Sequence, residues 1–168
     1  MQYTLPSGVR VLVRPIEPGD KDRLVNGLRQ LSLESIRKRF LAAKPSFSRS
    51  ELRYLTEVDG VNHIALVAVL EDDPEQLVAV ARCVRLPDRP DTAEMAIVVG
   101  DPWQGQGLGR ELARRLADAA LEVGIRRFAA TMLSDNEAAR RLMHTFARRL
   151  EAGRISAGLR EVVVELAA

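Results

Sequence analysis

At 168 residues, with one cysteine, two histidines and a formal charge of +2, the chain suits one compact domain that buries its own core without a disulfide framework. Its longest purely apolar run, Ile64 to Leu70, is far short of the roughly 20 residues that span a bilayer, and Met1-Gln-Tyr-Thr-Leu-Pro lacks a signal-peptide pattern; a single cytoplasmic domain with no membrane partner is expected. One cysteine and two distant histidines cannot complete a zinc site, and sparse aromatics that do not interleave with basic residues give no nucleic-acid platform.

Val9 to Ile16 alternates and is β-branched, which predicts a first strand, and Pro18-Gly-Asp breaks it. From Lys21 to Leu31, the residues Leu24, Val25, Leu28 and Leu31 fall on one helical stripe. A second short helix follows Ser32, with Ile36, Phe40 and Leu41 inward and Arg37, Lys38 and Arg39 mostly outward. That basic triplet reads either as a solvated face or as a dock for an acidic substrate surface. The positive side of the chain is almost all arginine, which suits phosphate and carboxylate recognition but would also follow from a GC-rich genome. Ser48-Arg-Ser-Glu51 has the form of a capping box, so a third helix starts there and runs through Leu52 and Leu55.

Asn62 to Glu71 and Gln76 to Leu86 are two strands joined at Asp72-Asp-Pro-Glu75 as a hairpin. Cys83 lies among valines and alanines and reads as a buried, inert thiol. His63, just before an apolar strand, reads as structural. Asp91 to Val99 is a fourth strand.

After it comes Gln104-Gly-Gln-Gly-Leu-Gly109 and a long amphipathic helix with Leu108, Leu112, Leu116, Ala120 and Val123 on one side and Gly124 as its stop. Glycines at alternate positions just before a helix expose converging backbone N–H groups where the helix end adds positive potential, which makes an anion site. The spacing is neither G-x-G-x-x-G nor a P-loop, since Arg110 and Glu111 follow Gly109. Arg110 in the first turn opposes the macrodipole unless an anion is bound nearby.

Ile125 to Leu133 reads as a strand reached by a helical crossover and therefore parallel to the fourth. Ser134-Asp-Asn-Glu137 resembles another capping box, opening a helix with Ala138, Leu142, Met143 and Phe146. A weak strand near Arg148 to Ile155 and a clear one at Glu161 to Leu166 close the chain. The class is α+β: one domain, residues 1 to 168, with a mixed, mostly antiparallel sheet of six to seven strands and helices on both faces.

Gln104, Gly107 and Gly109 fit Q/R-x-x-G-x-G/A between a fourth strand and a helix, and on these residues the chain resembles the GNAT superfamily of acyl-coenzyme A-dependent N-acyltransferases. The resemblance implies acetyl-CoA as cosubstrate and a fourth and fifth strand that run parallel and splay apart. It assigns the pyrophosphate to the amides of Gln104, Gly105, Gln106, Gly107, Leu108, Gly109 and Arg110. The pantetheine arm falls to the backbone of Ile97, Val98 and Val99, and a further cofactor contact to Asn136, which could instead be only a helix cap.

Leu31 to Phe40, Ala93-Glu-Met-Ala-Ile-Val-Val99 with Trp103 to Gly109, and Arg127 to Asn136 look like the bacterial Pat-type protein lysine acetyltransferases. That likeness implies a protein acceptor such as an acyl-CoA synthetase. Pat enzymes often carry a cyclic-nucleotide-binding or synthetase-like region, for which 168 residues leave no room.

Attack by lysine on a thioester needs a neutral amine, hence a base. Glu94 is the candidate: it shares a strand face with Thr92, Ala96 and Val98, small or apolar neighbours expected to raise its pKa, and Pat-like relatives carry a catalytic glutamate at the matching place. The alternative is a surface glutamate paired with Arg82. The oxyanion would be met by a backbone N–H near Ile97 or Val98. The tyrosine that protonates the leaving thiolate in many GNAT enzymes corresponds to Met143, which cannot donate a proton; His144 is a weak substitute. Acetylation of a small amine, or non-catalytic acyl-CoA binding, remain as alternatives, and the sequence leaves a homodimer open.

Overall fold

The computed structural model describes residues 1–167. Eight strands form one sheet: β1 (Gln2–Thr4), β2 (Arg10–Pro15), β3 (His63–Leu70), β4 (Leu77–Leu86), β5 (Arg89–Val99), β6 (Arg127–Leu133), β7 (Ala147–Ser156) and β8 (Leu159–Leu166), in spatial order β1-β2-β3-β4-β5-β6-β8-β7. This is one strand more than the sequence predicts. The extra strand is β1, whose three residues pair antiparallel with β2 from Gln2↔Leu12 to Thr4↔Arg10 and are too few to display an alternation.

Strand β3 shows how one sheet feeds two cores. Ile64 and Ala68 point to one cluster, while Ala65, Val67 and Val69 point to the other, as a period of two requires. The first cluster is covered by α4 (Leu108–Glu122) and α5 (Glu137–His144), the second by α1 (Lys21–Gln30) and α3 (Arg49–Thr56). Along α4, Leu108, Leu112 and Leu116 recur every four residues and are at most 1% exposed, each burial contributing roughly 1.5–3 kcal/mol. Gly124 ends this helix with φ 82°, the left-handed stop its sequence position predicts. Cys83 is fully buried, and burial pushes its thiol up to about 12.

Local chemistry fixes the helix starts. Ser48 and Glu51 make both bonds of the expected capping box at α3. At α5 the expectation fails by two residues: the cap is Asn136, whose side chain accepts from the Ala139 N–H, and Ser134 lies in the preceding turn, where its N–H donates to Gly158 O. Helix α2 (Leu33–Phe40) begins at Ser32, which accepts from the Ser35 N–H. Between β2 and α1, the fully buried Asp20 holds Arg14 at 2.7 and 2.8 Å, Arg23 at 3.1 Å and the Glu17 N–H at 2.9 Å. Burial pushes this carboxyl up, but those bonds and charges outweigh it and hold it below the usual range.

The parallel pairing of β5 with β6 spans only Thr92↔Arg127, Ala93↔Phe128 and Glu94↔Ala129. Beyond Glu94 the two strands part. On its other side β5 stays paired with β4 through Ala79↔Val99, so the gap is one-sided.

Candidate active site

The loop after β5 is built to present main chain. Gly105 and Gly107 hold φ of 72° and 84°, values that a residue with a Cβ adopts only under strain. Gly107 occupies the N-cap position of α4 and provides no side-chain cap, so the first-turn amides keep no partner from that residue. A Cβ on Gly107 would also stand 3.3 Å from Tyr3 Oη. Gly100 serves differently: its missing side chain lets Trp103 lie against the backbone, where a Cβ would meet the ring at 2.8 Å.

Polar struts fix this loop to α2. Gln104 Nε2 donates to Val99 O at 2.9 Å and to Ser35 Oγ at 3.0 Å. Asp101 accepts from the Ser32 N–H at 3.0 Å, Ser32 Oγ at 2.7 Å and Ser35 Oγ at 2.9 Å. Partial burial pushes the Asp101 carboxyl up, and these donors bring it below its ordinary value.

Where β5 and β6 part, a cavity of about 450 Å³ opens, within the range of small-ligand sites. Ile97, Val98 and Val99 form one wall and Ala130, Thr131 and Met132 the other, with Gln104, Gly105 and Gly107 to Arg110 at the end. Backbone alternation decides which amides face it. The Gly100 N–H bonds Val78 O and the register continues as Val80↔Val98, so even-numbered residues bond β4 and odd-numbered ones turn towards β6. Ile97 is then the first residue past the paired segment whose N–H and C=O both face the gap, which narrows the expected oxyanion donor from Ile97 or Val98 to Ile97.

Of the residues singled out in the sequence for the cofactor, Gln106 alone does not line the cavity: its side chain folds back to Pro102 O at 3.3 Å. Asn136 does line it, even while its Oδ1 caps α5, so the two readings of that residue are compatible. Met143 is 3% exposed and packs in the core, His144 is not at the cavity, and the α5 side chains facing it are Ala138, Ala139 and Leu142. None of these three donates a proton. Sequence reasoning missed Ser35 and placed Arg39 further outward than it lies; Lys38 is exposed as expected, and all three line the cavity. The i, i+4 spacing of Ser35 and Arg39 puts both on the α2 face towards β5.

Glu94 lies outside the cavity lining and is exposed, while Ala96 and Val98 further along the same face are partly buried. The expected apolar burial of its carboxylate is therefore corrected, and so is the alternative pairing with Arg82. Arg82, 6% exposed, donates from Nη1 to Leu55 O at 3.1 Å and to His63 Nε2 at 3.0 Å instead. Because arginine only donates, His63 Nε2 accepts and the ring is neutral. Burial, with the Arg82 charge adding to it, pulls the His63 imidazole down to about 4. Burial and the charge of Arg39 take the Arg82 guanidinium down to about 10. Arg39 is itself lowered by burial, and the charge of Glu94 opposes that effect. Among the described residues, no cluster of potential metal ligands occurs, and no helix is long and apolar enough to cross a membrane.

The profile of the acetyltransferase (GNAT) family matches residues 32–147. The chain is 39% identical over 131 residues to the acetyltransferase Pat of Mycolicibacterium smegmatis, covering 78% of this chain and 39% of that protein, so it spans well under half the length of that relative. Its structure superposes on the GNAT domain of S. lividans PAT with a TM-score of 0.87 and 31% identity, covering 99% and 96% of the two chains. A Salmonella typhimurium protein described as a putative acetyltransferase with its cofactor acetyl-CoA shares the fold, at a TM-score of 0.71, 18% identity and 94% coverage of both chains. With a family match over most of its length and a Pat GNAT domain superposing on nearly all of it, the chain belongs to the GNAT family of N-acetyltransferases, in company with the Pat catalytic domains.

Proposed function

We propose that this chain transfers acetyl from acetyl-CoA to the Nε of a protein lysine by direct attack, with Glu94 as the general base. The observation that carries the reading is the one-sided gap in the sheet. It offers the main-chain groups of Ile97 to an extended, amide-bearing arm, and it ends at the α4 amides and Arg110, which suit a pyrophosphate. Asn136 Nδ2 is left for the same ligand, its Oδ1 being used as the cap.

The acceptor meets the thioester from the α1/α3 face, where Glu94 stands. A free lysine has a pKa of about 10.4 and is protonated at neutral pH. Glu94 takes the ammonium proton, directly or through one water, as its exposure permits. The nitrogen lone pair then bonds to the carbonyl carbon, the Ile97 N–H receives the developing oxyanion, and collapse breaks the C–S bond. The α5 side chains that face the cavity, Ala138, Ala139 and Leu142, carry no proton donor; the thiolate leaves as an anion, the second proton of the attacking nitrogen passes to water, and the thiolate takes its own proton from water.

Likeness to Pat proteins supports a protein acceptor, of which an acyl-CoA synthetase is the kind that resemblance implies. Glu94→Gln is expected to lower kcat by about 10²-fold with little change in the KM for acetyl-CoA, read from CoA release. Wild-type turnover in that variant removes Glu94 from the mechanism. Activity on free polyamines alone, across a panel of proteins, peptides and amines, sinks the lysine assignment; tight acetyl-CoA binding without turnover on any acceptor makes the chain a binding protein.

A further inference from the structure

We infer that Arg39 and Arg82 form a carboxylate-recognition site on the acceptor side of the cleft, which selects amines that carry an acidic group close to the reacting nitrogen. The inference rests on the acetyl-transfer reading and adds a substrate class to it.

The two guanidiniums come from different elements: Arg39 of α2 lines the cavity together with Ala96 of β5, and Arg82 of β4 is the register partner of Ala96, two residues along the same sheet face from Glu94. Arg82 is 6% exposed, yet no carboxylate lies within ion-pair distance of it among the described residues; its Nη1 is used by neutral acceptors, Leu55 O and His63 Nε2, and its Nε and Nη2 donate to no described residue. Arg39 lines the cavity, makes no ion pair or hydrogen bond with a described residue, and has its Cζ held 4.8 Å from the ring centre of Phe40. Its neighbour Lys38 is already paired with Glu34 at 2.5 Å. Against these two positive charges stands one exposed carboxylate, Glu94, and the adjoining His63 is neutral. Desolvated charge without a partner is costly, and a planar fork with free N–H groups is suited to bind a carboxylate by two bonds.

Position separates this site from the cofactor phosphates. Ser35 of α2 bonds Gln104 at the loop, and Arg39 lies four residues, or about 6 Å, further along the helix, towards Glu94. Tyr54, 56% exposed, adds a contact surface beside Arg82, its ring tilted at 41° and centred 4.9 Å from that of His63. The anion can come from an Asp or Glu side chain next to a target lysine or from the α-carboxylate of a small amino-acid acceptor.

The test compares wild type, Arg39→Gln and Arg39→Lys on two substrate pairs. One pair is a lysine peptide flanked by aspartates against the same peptide flanked by asparagines; the other is free lysine against lysinamide. Each is read as CoA release and, separately, as fluorescence-anisotropy binding of labelled peptide with CoA present. Wild type is expected to favour the acidic member of at least one pair by about 10-fold in kcat/KM or affinity, as a charge-assisted bond gives. Arg39→Gln abolishes that preference by raising KM for the acidic member alone, and Arg39→Lys restores part of it. Preference in the peptide pair assigns the acid to a protein, and preference only for lysine over lysinamide assigns it to a small molecule. Equal handling of both members by wild type, or an equal loss on both in Arg39→Gln, overturns the site. Absence of CoA release with every acceptor, together with preserved selective binding, overturns acetyl transfer and leaves the recognition site standing.

Discussion

The two ends of the cleft along β5 are built by different means. At its C-terminal end the site is main chain: the unpaired groups of Ile97, two left-handed glycines and the amides of a helix start. At the other end, which lies midway along β5, the proposed acceptor site is side chain: Glu94 on β5, Arg82 on β4, His63 on β3 and Arg39 on α2. A main-chain site needs only that side chains stay out of the way, so few residue types are permitted and they are adjacent in sequence. A side-chain site depends on four distant segments arriving at one place, and each residue looks ordinary where it stands.

Substitutions that affect one end only put this contrast at risk. After Glu94→Gln, the largest effect should come from Gly107→Val. The residue would be forced to φ 84° with its Cβ 3.3 Å from Tyr3 Oη, a left-handed strain of about 1–2 kcal/mol, and the KM for acetyl-CoA should rise on the order of 10-fold. Discrimination among acceptors should not change; a shift in acceptor preference would mean that the two ends are not separable. Asp101→Asn should be the exception that touches both, because this carboxylate joins Ser32 and Ser35 of α2 to the turn before the loop. Weakening those bonds should raise the KM values of acetyl-CoA and acceptor by about 3-fold each, and a change in only one would show that α2 is not the link.

The smallest effect is read on stability. His63 has a folded pKa of about 4 against about 6.5 when unfolded. The unfolded chain therefore binds more protons between those values, and the stability from the neutral imidazole, present above pH 6.5, is lost as pH falls towards 4. In His63→Gln the amide oxygen can still accept from Arg82 while that proton uptake is gone. Denaturant melts at pH 7 and pH 5 should show a shallower pH dependence than wild type, and an unchanged slope would remove His63 as its source.

Elements with a repeating signal were legible before any coordinates. The α4 stripe, the β3/β4 hairpin, the Ser48 capping box and the crossover to a parallel β6 all follow from periodicity or fixed spacing. Those that failed had no such signal. Three residues of β1 cannot alternate long enough to be seen. Ser134-Asp-Asn-Glu137 satisfies a capping pattern in sequence, yet Asn136 takes the position because the chain is still leaving the β6 turn at Ser134. Arg39 seemed outward because three consecutive basic residues suggest solvent, whereas a helix turns 100° per residue and Arg39 shares its face with Ser35. A serine and an arginine four apart, on a helix whose apolar stripe is narrow, was the clue available. The base at Glu94 came from its strand face and from resemblance, and its surroundings could not be read because they belong to α2 and α3.

The two margins of the sheet are unequal. The β1 edge is three residues long, whereas β7 leaves ten residues on the far side, most of them exposed, including Arg148, Arg149, Glu151 and Arg154. An open edge of that length is a template for fibrous self-association. Here a second copy adding itself antiparallel along β7 would bring arginine-rich segments together and strip water from their guanidiniums, and like charges set opposite each other are unfavourable. The strand on that margin thus carries charges that oppose its extension by a second copy.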